Sequence, residues 1–144
     1  MALATSASTT VEIVATSVKC IERYVAYQQN NPDQHLAASS LLALCRCILA
    51  ALHEIQNSLH LDGWEIEPSE DGSLQSLSSV LESCQITFKI LLDKVQHAIS
   101  VTHDVASSAA KAIDLWPTSE IEALSQNISK IASGMQSLIE AFNR

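Results

Sequence analysis

Four stretches of the chain place apolar residues three and four apart, and polar or turn-forming residues separate them. In the first, Val11, Val14, Val18, Ile21 and Val25 recur at helical spacing. Thr9-Thr-Val-Glu12 ahead of them has the form of a capping box, which predicts a helix over 9–28 and a disordered N-terminus over 1–8. The pattern stops in Gln28-Gln-Asn-Asn31. A second helix, over 32–60, is signalled by Asn31 as cap, Pro32 at the first helical position and Asp33 in the first turn. Between Leu41 and Leu52 its only charged residue is Arg46, while His35, Ser39, Arg46, His53, Asn57 and His60 trace a polar stripe. This reads as the most buried element, with the stripe turned to water.

Residues 61–72, LDGWEIEPSEDG, form an acidic loop broken by Gly63, Pro68 and Gly72. Leu74, Leu77, Leu81, Cys84, Phe88, Leu91, Val95 and Ile99 then predict a third helix over 73–100. Periodicity fades through Ser100–Asp104 and resumes in small residues. An unbroken helix over 73–113 would reach about 60 Å against about 43 Å for the second helix. A kink or break near Thr102–Asp104, with a short extra helical segment near 104–113, is therefore expected. Trp116-Pro117 closes that region. Ser119-Glu-Ile-Glu122 is a second capping-box pattern, and Ile121, Leu124, Ile128, Ile131, Met135, Leu138 and Phe142 mark a fourth helix over 119–143. Four such stripes bury themselves only against one another, so the expected fold is all-α: one domain over 1–144, an antiparallel bundle of four main helices.

Composition agrees. Of 144 residues, 47% are hydrophobic and only 4% aromatic, with three glycines and three prolines, too few turn residues for an all-β chain. Sixteen acidic against eight basic residues give a net charge of −8. That balance offers no basic face to nucleic acid and disfavours anionic membrane surfaces. The longest runs free of charge, Gln34–Cys45 and Met1–Val11, are shorter than the roughly 20 apolar residues of a span. The N-terminus lacks the basic and apolar regions of a signal peptide. The expected location is cytoplasmic and reducing, where Cys20, Cys45, Cys47 and Cys84 are free, small and hydrophobic.

Chemistry finds little purchase. Cys45 and Cys47 lack the spacing of structural zinc ligands and lie about 200° apart on a helix. His53 and His60 share a face but lack a Glu-x-x-His companion. His103 and Asp104, adjacent on a helix, do not face each other. No Gly-x-Ser-x-Gly elbow or glycine-rich phosphate loop is present, and the acidic loop lacks the alternating ligands of a calcium-binding hand. Neither a metal, a cofactor nor a catalytic residue is expected.

Leu77-Ser-Ser-Val-Leu81-Glu-Ser-Cys84-Gln-Ile-Thr-Phe88-Lys-Ile-Leu91-Leu92 resembles the third helix of fungal HeLo-like or SesA-type N-terminal domains, which precede NACHT, NB-ARC or ankyrin-repeat regions in STAND receptors. Leu115-Trp116-Pro117, followed by Glu120-Ile-Glu-Ala-Leu124, resembles the last helix of that family, and the leucines after Pro32 are similar to its second. The likeness covers Val11 to the end. It implies an intracellular signalling module that reports receptor assembly through helix–helix contacts, without catalytic residues. Some family members perturb membranes. Those tend to have a glycine-containing, strongly apolar first helix, whereas this one is glycine-free and preceded by a Thr/Ser-rich stretch. The expected partner is a protein or a second copy, docked on Val11, Val14, Val18, Ile21, Tyr24 and Val25, with Ile13 and Cys20 widening the apolar arc. The competing expectations are a membrane-perturbing effector and a small stand-alone accessory protein or unusual enzyme with a pocket inside the bundle.

Overall fold

A computed structural model describes residues 2–29, 31–61, 73–104 and 116–142. Within them lie four helices and no strand: α1 (Ala2–Tyr27), α2 (Pro32–Leu61), α3 (Ser73–Asp104) and α4 (Thr118–Phe142). The all-α bundle is as the four apolar stripes predict. The acidic loop and the segment after Asp104 fall outside the described residues.

The helices form a square. α1 touches α2 and α3, α4 touches α2 and α3, and α1/α4 and α2/α3 are the diagonals. Polar contacts fix the directions. The first turns of α2 and α4 share one end of the bundle, where Gln34 meets Trp116 and Thr118. The late part of α3 reaches the same end, through Lys94 and Glu120 at 3.5 Å. Successive helices thus alternate in direction. Around the square, α1/α2 and α3/α4 are antiparallel, while α1/α3 and α2/α4 run parallel. The contact between α3 and α4 is the thinnest of the four.

The core takes one stripe from each helix. Val14, Ile21 and Tyr24 of α1 meet Leu41, Cys45, Ile48, Leu52 and Ile55 of α2. Leu77, Leu81, Cys84, Phe88, Leu91 and Val95 of α3 meet Ile121, Ile128, Met135 and Ile139 of α4. Side chains of this kind, buried in full, each contribute about 1.5–3 kcal/mol.

Two expectations are corrected, where α1 begins and how far α3 runs. α1 begins at Ala2 rather than Thr9, so Thr9 lies inside the helix and caps nothing. The early turns are ordered because they are held: Ala7 is buried, Gln85 Nε2 donates to Ser6 Oγ at 3.2 Å and Thr10 Oγ1 at 2.9 Å, and Gln56 Nε2 donates to Ser8 Oγ at 2.9 Å. α3 runs past the expected residue 100 to Asp104, and the break and short segment expected near 104–113 fall at and beyond the last residue described. α2 keeps a side to water, where Arg46, His53 and Asn57 of the polar stripe are exposed along with Ala43, Cys47, Ala50 and Leu36, the last at 68%. α2 begins where the sequence predicts, with Pro32 at the first helical position and Asn31 O accepting from His35 N at 2.8 Å. α4 starts one residue before the expected Ser119 box. Pro117 O accepts from Glu120 N at 3.0 Å and Ile121 N at 3.2 Å.

Candidate functional site

The expected docking face on α1 is spent on the fold. Val14, Ile21 and Tyr24 have no exposed surface and Val18 has 7%, while Val11 and Val25 are half-buried against the core. The stripe at the centre of the buried face runs Ala7, Thr10, Val14, Ser17, Ile21, Tyr24, Gln28. It passes through two hydroxyl residues, so an apolar count centres the face too far round. Thr10 Oγ1 donates to Ser6 O at 2.7 Å and Ser17 Oγ to Ile13 O at 2.8 Å, which lets both enter the core without an unpaired hydroxyl.

The most developed polar cluster sits at the end of the bundle where α2 and α4 begin. The Gln34 amide, 1% exposed, makes three hydrogen bonds: Nε2 donates to Tyr24 Oη at 3.1 Å and Trp116 O at 2.8 Å, and Oε1 accepts from Thr118 Oγ1 at 2.6 Å. Tyr24 and Trp116 pack edge to face with ring centroids 5.0 Å apart. Burial pushes the Tyr24 phenol up to about 12, against a smaller downward pull from Gln34. The buried phenol and the Gln34 amide tie α1, α2 and the start of α4 together. Trp116 Nε1 is buried and has no hydrogen-bond partner among the described residues.

The cysteines divide into two kinds, and all four are free thiols. Cys45 and Cys84 are buried, and burial pushes each thiol up to about 12, with Cys84 adding to the shift at Cys45. They are inert thiols at neutral pH, because the thiolate is the nucleophile. Cys47 is exposed on α2 and Cys20 half-buried on α1. Among the described residues, no three His, Cys, Asp or Glu side chains converge as metal ligands would.

Two grooves remain. One, about 540 Å³, lies between the first turns of α2 and α4; Asp33 and Glu122 stand on its rim with Leu36, Ser40, Thr118 and Ser125. Asp33 sits in the first turn of α2, where the helix dipole accounts for it, and Glu122 lies just past the first turn of α4. No His or Cys lines it. The other, about 250 Å³, opens where α3 and α4 pack most thinly, with Ser79, Val80 and Ser83 on one side and Lys130, Ile131 and Gly134 on the other. Beside it, α3 turns Ile86 and Ile90 outward, 55% and 49% exposed. The sequence signal for this face was available: Ile86 and Ile90 lie off the Leu77–Ile99 stripe and four residues apart.

One helix, Pro32–Ser58 of α2, is long and apolar enough by length and composition to cross a membrane. Counting only uninterrupted charge-free runs misses it, because Asp33, Arg46 and Glu54 divide the stretch. No family model matches the chain, and neither a curated protein nor a solved structure is significantly similar to it.

Proposed function

We propose that the chain is a helical protein-interaction module acting in intracellular signalling, of the kind found at the N-terminus of STAND receptors. The observation that carries the interaction reading is the face of α3 formed by Ile86 and Ile90 beside the α3/α4 groove. Large apolar side chains exposed as neighbours next to a groove suit docking of another helix. The resemblance of the α3 and α4 segments to HeLo-like domains supports the receptor setting.

The test is proximity labelling in cells with the wild-type chain and the Ile86→Asp/Ile90→Asp double variant. The expected result is a reproducible set of labelled proteins that the double variant loses while its helical content is unchanged. An identical set from both would remove the basis of the reading.

A further inference from the structure

The α3 face is self-complementary, and we infer that it joins two copies of this chain in an antiparallel, twofold α3–α3 contact. The inference rests on the interaction reading and names its partner. The outward stripe of α3 runs Ser79, Glu82, Ser83, Ile86, Lys89, Ile90 and Asp93, all exposed. Helical spacing puts Ile86 at its centre, Glu82 and Lys89 together on one flank, and Ile90 and Ser83 on the other, toward α4.

Two such helices, laid antiparallel about an axis beside Ile86, bring like flanks together. Ile86 then meets Ile86 of the second copy. Ile90 drops into the notch between Ser79 and Ser83 of the second copy, at the mouth of the groove lined by Val80, Ile131 and Gly134. Glu82 comes opposite Lys89 of the second copy, and the symmetry makes that pair twice. Neither Glu82 nor Lys89 is ion-paired within one copy among the described residues, so both are free to cross. Small Ser79 and Ser83 at the notch are what allow close approach. An isologous contact of this form closes at two copies and does not propagate.

A pair of single helix faces is small for an interface, so the dimer is concentration-dependent. The test is sedimentation of the purified chain across the micromolar range. Wild type is expected to shift from monomer toward dimer with concentration. Ile90→Asp and Glu82→Lys should each abolish the shift at unchanged helical content. The double variant Glu82→Lys/Lys89→Glu should restore it, because the swapped pair faces itself again.

A monomer at every concentration overturns the inference. So does a dimer indifferent to Ile90→Asp, or one lost in Glu82→Lys and not regained in the double variant. A strict monomer whose Ile86/Ile90 face still labels other proteins in cells would sink the second copy as partner and leave the interaction reading standing.

Discussion

Gln34 shows how one residue organises an end of the bundle. Its two donors and one acceptor join the α1 phenol, the carbonyl of Trp116 and the Thr118 hydroxyl. Removing a partner from a buried polar group costs about 1–3 kcal/mol per group left unsatisfied. Gln34→Ala is therefore expected to lose about 3 kcal/mol of stability in urea unfolding. Gln56→Ala, which gives up one partly buried bond to Ser8, should lose under about 1 kcal/mol. Equal losses would mean that the Gln34 cluster is not the clamp described. Gly134 offers the opposite case. A Cβ built there meets only Val80 Cγ2, at 4.0 Å, an ordinary contact. Glycine is not required by a close crossing, and Gly134→Ala should stabilise the bundle by about 1 kcal/mol through helix propensity, read in the same unfolding assay.

Titration gives a further handle at this scale. The ordinary values are 9.0 for Cys45 and Cys84 and 10.0 for Tyr24, and burial raises all three to about 12. A group whose folded value is raised contributes stability that is fully present below its unfolded value and is lost as pH climbs through the folded one. The bundle should hold constant with respect to these groups up to about pH 9 and weaken progressively toward pH 12. Urea midpoints measured from pH 8 upward in reductant check this, and a flat profile would contradict it. In the same state a thiol reagent should modify Cys47 at once, and Cys45 and Cys84 only as the chain unfolds.

At the scale of elements, the α3 stripe was legible almost residue for residue, since Leu77 through Ile99 is apolar at every core position. α1 was legible as a helix but not in rotation. Its true seam includes Thr10, Ser17 and Gln28, and nothing in an apolar count marks a serine as buried. The bond from Ser17 to Ile13 O that makes burial tolerable is a local device, visible only once the helix is formed. The same blindness hid residues 2–8. Ser and Thr read as a polar lead-in, yet Gln56 and Gln85, distant in sequence, are what fasten those turns. The docking face suffered in turn: assigning Val14, Val18, Ile21 and Tyr24 to a partner took residues that the core needs. In α4 the same period gave the helix correctly, with Leu124, Ile131 and Leu138 half-buried along the thin seam and Ile139 in the core.

For the whole molecule, helix count followed from the number of stripes, but adjacency did not. No periodicity says that α2 and α3, consecutive in the chain, stand on a diagonal. That arrangement leaves α3 and α4 as the thinnest contact and puts the groove there, beside Ile86 and Ile90.

It also bears on membranes. α2 has the length and composition of a span, and the family resemblance includes membrane-perturbing domains. In the bundle, however, Leu41, Cys45, Ile48, Leu52 and Ile55 form the inner face of α2, and a span would need them turned to lipid. Opening the bundle strips apolar cover from all four helices at once, against a folded state worth on the order of 5–15 kcal/mol. Surface binding is no easier. α1 carries Lys19 and Arg23 against Glu12 and Glu22, and the chain's −8 is repelled by anionic lipid, where each basic residue brings only about 1 kcal/mol of attraction. The expected outcome is that the chain at micromolar concentration releases no dye from anionic liposomes. Destabilising the Gln34 clamp should raise whatever leakage there is, since it lowers the cost of freeing α2. Rapid release by the wild-type chain, lost when residues 1–25 are deleted, would instead show that α1 leaves the bundle and enters lipid, and would put the membrane effector reading first.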